Sequence, residues 1–225
     1  MVARLITQTV VWFGIMGAVL FASAGTFDWP AAWIYLALML ALSLVTGLLL
    51  AWHDPALLKE RLAAPIQKDQ PKADKVLISV LLLFLFGAFA FMALDAARFE
   101  WSAVPPWVQA AGALLVVVSI GFSYRVMREN SFAAPVVKVQ SERGQRVVTT
   151  GPYRYVRHPL YSGSLLFVAG TSLLLGSWWG LLAALGLAAL LAIRIGIEEK
   201  ALRAGLADYD AYAERVRYRL VPLVW

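Results

Sequence analysis

The sequence contains no cysteine. That removes thiol nucleophiles, disulfides and cysteine metal sites from the chemistry open to it, and leaves its redox compartment unspecified. Histidine is almost absent too. His53 and His158 are the only two, and two isolated histidines make no zinc motif. No Gly-x-Gly-x-x-Gly follows a strand-like run and no Walker loop occurs, which excludes a Rossmann-type or P-loop nucleotide site. A Ser-His-Asp triad has no supporting signature. Charge is scarce: 15% of the 225 residues are charged, against roughly 25% in soluble domains. The apolar runs lack the internal charges of an ion or proton pathway, and Asp95 sits only near the outer end of the third run.

Apolar residues are what the chain has in excess, at 61%. They fall in runs of about 20 residues, long enough to cross a bilayer as helices. A β-barrel would show short alternating segments instead. The expected fold is all-α: a polytopic integral membrane helical bundle, with residues 1–225 as a single membrane domain. Four N-terminal transmembrane helices are expected within 1–124, over 5–21, 31–52, 76–94 and 108–124. The region 125–225 is expected to carry the chemistry. There, apolar stretches at 159–175 and 178–197 flank Gly176-Ser177 and predict a helical hairpin with a tight turn. Its arms either span or re-enter, which gives five to six membrane segments. Residues 198–218 read as one polar amphipathic helix, with Tyr209 and Tyr212 on a common face. That helix is expected to end at Pro222, with residues 221–225 as a short apolar tail at the interface. The first segment, followed by Ala22-Ser23-Ala24, also fits a cleaved signal peptide; a retained helix gives the better charge pattern.

That pattern comes from lysine and arginine. The connection 53–75 holds five (Lys59, Arg61, Lys68, Lys72, Lys75), the connection 125–157 holds seven, and the chain from Arg194 onward holds six. The turns after the first and fifth segments hold none, and the turn after the third holds only Arg98. Six segments with both termini in the cytoplasm fit this alternation. The net charge of +6 therefore faces anionic lipid rather than nucleic acid.

Three polar clusters stand out. The first is Gly151-Pro152-Tyr153-Arg154-Tyr155-Val156-Arg157-His158-Pro159-Leu160-Tyr161-Ser162-Gly163. Pro159 suits a first helical turn, and His158 falls beside that helix N-terminus, where anionic groups are favoured. The same residues would also serve as an interfacial anchor, but their density favours function. The second cluster is Arg194 with Glu198 and Glu199. Arg194 and Glu198 are i, i+4 and share a helix face, as an ordinary surface ion pair would. The third, Glu129-Asn130-Ser131 with Lys138, reads more readily as a polar loop. His53-Asp54-Pro55 reads as helix-end capping.

The run Val147-Val148-Thr149-Thr150-Gly151-Pro152-Tyr153, then Arg157-His158-Pro159-Leu160-Tyr161-Ser162-Gly163, Glu198-Glu199 and Tyr209-x-x-Tyr212 resembles the isoprenylcysteine carboxyl methyltransferase family. The membrane phospholipid N-methyltransferases look similar over the same stretch, roughly residues 125–225. The resemblance implies S-adenosyl-L-methionine bound by a non-Rossmann membrane fold. Its contacts would be Gln145, Arg146, Val147, Val148, Tyr153, His158, Pro159, Leu160, Tyr161 and Glu198. Gln145 stands where the family commonly has histidine, and Lys138, a further candidate, where it often has glutamine. Arg194 is implicated on the substrate side, where it would align a carboxylate acceptor that needs no base. An amine acceptor must lose a proton, for which His158 or Glu199 are the candidates. The acceptor would be a lipophilic small molecule or lipidated substrate arriving from the membrane lipids, most readily a carboxylate. Lipid-amine N-methylation, an NADPH-dependent reductase of the sterol reductase type and a non-enzymatic membrane binding protein are the alternatives. Oligomeric state is left open.

Overall fold

The computed structural model describes residues 1–67 and 70–225. Lys68, counted above, and its neighbour Asp69 lie outside the described residues. Among the described residues the chain is all-helical: α1 (Val2–Ala24), α2 (Pro30–His53), α3 (Pro55–Arg61), α4 (Lys72–Ala93), α5 (Pro106–Glu129), α6 (Pro159–Leu175), α7 (Leu181–Gly205) and α8 (Tyr209–Arg215). Five of these are long and apolar enough to cross a membrane. Pro159–Leu175 is shorter, at 17 residues. Only 22–33% of each apolar window is buried inside the chain, so most of that apolar surface faces outward, as lipid permits and water does not.

Proline sets the helix starts. It occupies the first turn of α2, α3, α5 and α6, where its missing N–H costs nothing. Left-handed glycines close two ends: Gly25 (φ 74°) after α1 and Gly176 (φ 88°) after α6, a conformation other residues adopt with strain. The connection after His53 is more ordered than a polar loop. The Asp54 carboxylate accepts from the Leu57 amide at 2.9 Å and caps α3, in line with the capping expectation. α4 begins at Lys72, so Asp74 belongs to its first turn.

The long helices run alternately between two ends. At one end lie the extended connections. There Arg4 Nη2 donates to the Leu62 carbonyl (2.8 Å) and Arg61 Nη1 to the Ala133 carbonyl (3.0 Å). At the other end are short turns, joined by Asp95, which is fully buried in a π-helical turn extending α4. Its Oδ2 accepts from the hydroxyls of Ser102 and Ser177. Asp95 is thus a fastening between the α4–α5 and α6–α7 turns.

One core joins all six long helices, with Leu20, Tyr35, Met92, Val116, Leu175 and Leu191 as members. The closest approach is α5 against α6. A Cβ on Gly112 would lie 2.5 Å from the Leu174 amide nitrogen and 2.8 Å from the Gly170 carbonyl oxygen. Two backbones touch there because neither residue has a side chain.

The expected single helix over 198–218 is not formed. α7 continues to Gly205, the chain turns at Leu206, and α8 is only seven residues long. The chain beyond α8 pairs elsewhere: the amides of Arg157 and His158 donate to the carbonyls of Tyr218 and Arg219, both at 2.9 Å. A helix through 218 would withdraw those carbonyls from the entry to α6.

Candidate active site

The α6–α7 hairpin returns the chain to the end it left, so residues near 158 and near 198 meet. His158 is the N-cap residue of α6, buried, with its ring stacked on that of Tyr161 (centroids 5.5 Å apart, planes 7° apart). Its Nδ1 lies 3.6 Å from Glu198 Oε2 and its Nε2 3.3 Å from Glu199 Oε1. The Tyr161 hydroxyl donates to Glu198 Oε2 at 2.6 Å.

The two adjacent glutamates differ sharply. Glu199 is buried and receives Arg157 Nε at 2.7 Å and Arg219 Nε at 3.3 Å. Arg157 is anchored in turn, with Nη1 donating to the carbonyls of Val216 (2.7 Å) and Arg217 (3.0 Å). Arg157 and Glu199 thus form a strut beneath His158. Glu198 is partly exposed and faces a cleft.

That cleft lies between the 130–158 connection, the start of α6, the end of α7 and α8. All ten residues assigned to the cofactor by resemblance line it: Gln145, Arg146, Val147, Val148, Tyr153, His158, Pro159, Leu160, Tyr161 and Glu198. Lys138 lines it too, while pairing with Glu60 (2.5 Å) and Gln67 Oε1 (3.1 Å). Gln145 Oε1 is engaged by the Gln140 amide at 2.7 Å. A short 3₁₀ turn at Gly151–Arg154 delivers Tyr153. Its hydroxyl accepts from Asn130 Nδ2 and its carbonyl from the Tyr212 hydroxyl, both at 2.9 Å. Burial pushes the Tyr153 hydroxyl well above the ordinary tyrosine range, against a smaller opposing effect of Asn130. It is a neutral hydrogen-bonding group at any physiological pH.

Arg194 and Glu199 do not line the cleft. The i, i+4 pair expected between Arg194 and Glu198 is also not made. Arg194 Nε instead donates to Asp74 Oδ1 at 3.1 Å and Nη2 to the Pro135 carbonyl at 2.5 Å, with the guanidinium 5.7 Å from the Tyr161 ring centroid. Spacing along a helix defines a face but not the partner opposite it. Two apolar cavities run among the membrane helices, and both are lined by Arg194, Pro135, Phe167 and Tyr161. Tyr161 therefore borders all three spaces: the polar cleft on one side and both apolar cavities on the other.

Residues 107–208 match the family model for phospholipid methyltransferases. The match covers just under half of the chain, from α5 to the end of α7, and it supports a membrane methyltransferase. The motif resemblance placed the isoprenylcysteine family first; the matching model is that of the phospholipid methyltransferases. No curated protein matches the chain.

Within the matched range lie Tyr153, His158, Tyr161, Arg194 and Glu198. Asp74 lies outside it and was not singled out in the sequence. In the sequence it is an acid beside Lys72 and Lys75, at a helix start where acids are favoured anyway. In the fold it is fully buried, and its Oδ2 accepts from Gln70 Nε2 (2.6 Å) and the Val137 amide (2.9 Å). Asn130, read as loop, supports Tyr153, and Arg157, read as part of the motif, supports Glu199. Nothing in the order of residues marks these contacts.

Proposed function

We propose that the protein is an integral membrane methyltransferase that uses S-adenosyl-L-methionine and methylates a lipophilic acceptor. The observation that carries this is the position of Tyr161, the common wall of a polar cleft and two apolar cavities. A water-soluble donor and a lipid acceptor need that juxtaposition.

The cleft's residues fit the cofactor. Glu198 offers a carboxylate to the ammonium or the ribose diol. The faces of Tyr153 and Tyr161 suit the sulfonium region. The Tyr209 hydroxyl is buried at the cleft wall with no hydrogen-bond partner among the described residues, a polar group a ligand would satisfy. When bound, S-adenosylmethionine supplies an already activated methyl group. The protein's part is then alignment and exclusion of water. His158, fixed by Tyr161 above and Glu199 below, holds the Tyr161–Glu198 side of the cleft in place. Glu199, tied up by Arg157 and Arg219, acts through His158.

Two acceptor groups have support. A carboxylate suits Arg194, whose Nη1 has no hydrogen-bond partner among the described residues and which lines both apolar cavities. A lipid amine is favoured by the phospholipid methyltransferase match; such an acceptor must lose a proton, and His158, across Tyr161 on the cleft side, is the candidate to take it. By the distribution of lysine and arginine, the cleft opens to the cytoplasm.

The test uses the purified full-length protein, labelled S-adenosylmethionine and a total lipid extract. A base-labile labelled lipid identifies a methyl ester, and a base-stable one an N-methyl group. Calorimetry separates the reductase reading: binding of NADPH in place of S-adenosylmethionine would overturn the proposal. Glu198→Ala is expected to weaken cofactor binding by about tenfold, the loss of one charge-assisted hydrogen bond.

A further inference from the structure

We infer that Asp74 is a positioning residue whose role is to hold the Arg194 guanidinium away from Glu198. The inference rests on the proposed reading of Glu198 as a cofactor contact.

Arg194 and Glu198 are one turn apart on α7, where an arginine and a glutamate pair readily. The structure does not pair them. Arg194 is drawn instead to Asp74, 120 residues earlier in the chain, and Glu198 is left to the Tyr161 hydroxyl and the cleft. Asp74 is built for this. Its side chain is inaccessible, Oδ1 takes Arg194 Nε, and Oδ2 takes Gln70 Nε2 and the Val137 amide. The connection that binds Asp74 through Val137 also binds Arg194 through the Pro135 carbonyl. Val136, Val137 and Lys138 of that connection line the polar cleft, and Pro135 lines both apolar cavities. Asp74 and Arg194 thus meet at the wall between donor space and acceptor space.

The charge of Asp74 is the essential element. Arg194 is only 9% exposed, and a buried cation without a partner is costly. With the carboxylate neutralised, the nearest carboxylate on its own helix face is Glu198. A guanidinium pairing there would occupy the cofactor's carboxylate and compete with Tyr161. Asp74 therefore separates an acceptor-side cation from a cofactor-side anion that would otherwise quench each other.

The test is calorimetric titration of S-adenosylmethionine into the full-length protein and its variants, which needs no knowledge of the acceptor. Asp74→Asn is expected to bind about tenfold more weakly, the loss of one charge-assisted contact. The double variant Asp74→Asn/Arg194→Gln is expected to regain the original affinity, because no cation remains to occupy Glu198. A residue that only stabilises the fold would give no such recovery. Should Asp74→Asn alone fail to fold, the same contrast is read between Asp74→Asn/Arg194→Lys and Asp74→Asn/Arg194→Gln, with the lysine variant the weaker binder. Unchanged affinity in Asp74→Asn, or a glutamine double variant no better than its lysine or arginine counterpart, overturns the inference. Failure of the unaltered protein to bind S-adenosylmethionine overturns the function proposal itself, and this inference with it.

Discussion

Glu198 and Glu199 share a peptide bond and little else. The buried Glu199 carboxylate collects Arg157, His158 and Arg219, so removing a cation should strike stability. Arg157→Met is expected to cost about 3 kcal/mol, the lower range for breaking a buried ion pair, read as a lowered unfolding midpoint in detergent. Glu198→Gln should leave that midpoint nearly unchanged while weakening cofactor binding. The sequence offered both glutamates as equal candidates, because adjacency places them near one another and says nothing of which faces a cleft. A second expectation concerns pH. Burial raises the hydroxyls of Tyr153, Tyr209 and Tyr212 above the ordinary tyrosine value. The unfolded chain then loses these protons first, so the folded state holds more protons above about pH 10. Stability is full below that pH and falls as pH rises further. Tyr153→Phe should make the fall shallower, as followed by thermal unfolding across alkaline buffers.

Among the elements, α5 and α6 are the pair most sensitive to substitution. Gly112 and Gly170 let their backbones touch, and a side chain at either would meet main-chain atoms that cannot move aside. Gly170→Leu is expected to destabilise by roughly 3 kcal/mol, at the upper end of overpacking costs, and to loosen α6 and the His158 end with it. Loss of cofactor affinity alongside the unfolding midpoint would show that coupling; an unaltered midpoint would contradict it. The long helices were legible because apolar runs and their proline starts are local properties of the chain. The end of α7 was not. Gly205 lies against Val139, close enough that a Cβ would come within 2.7 Å, and a crossing chain segment leaves no trace in helical periodicity. The expected 198–218 helix failed for that reason, and because the carbonyls of Tyr218 and Arg219 are needed at Arg157 and His158.

For the molecule as a whole, the absence of cysteine makes the proposed orientation directly measurable. Single cysteines at Glu142, exposed in the long connection, and at Phe27, exposed in a short turn, report the two ends. An impermeant maleimide applied to intact cells is expected to label Phe27→Cys at once and Glu142→Cys only after permeabilisation; the reverse pattern would place the cleft outside. At this scale the sequence yielded the helical bundle, its hairpin and the cluster of motif residues in one cleft. It did not yield Asp74 or the apolar cavities, because a cavity is formed by faces of five or more elements and belongs to none of them. The position of Tyr161 carries a last consequence. On the proposed reading the protein is a phase-transfer catalyst: donor concentration is counted in moles per litre of water, and acceptor concentration as a mole fraction of the bilayer. Diluting the acceptor with inert lipid at fixed total amount should slow the reaction, whereas diluting the vesicles in saturating donor should not.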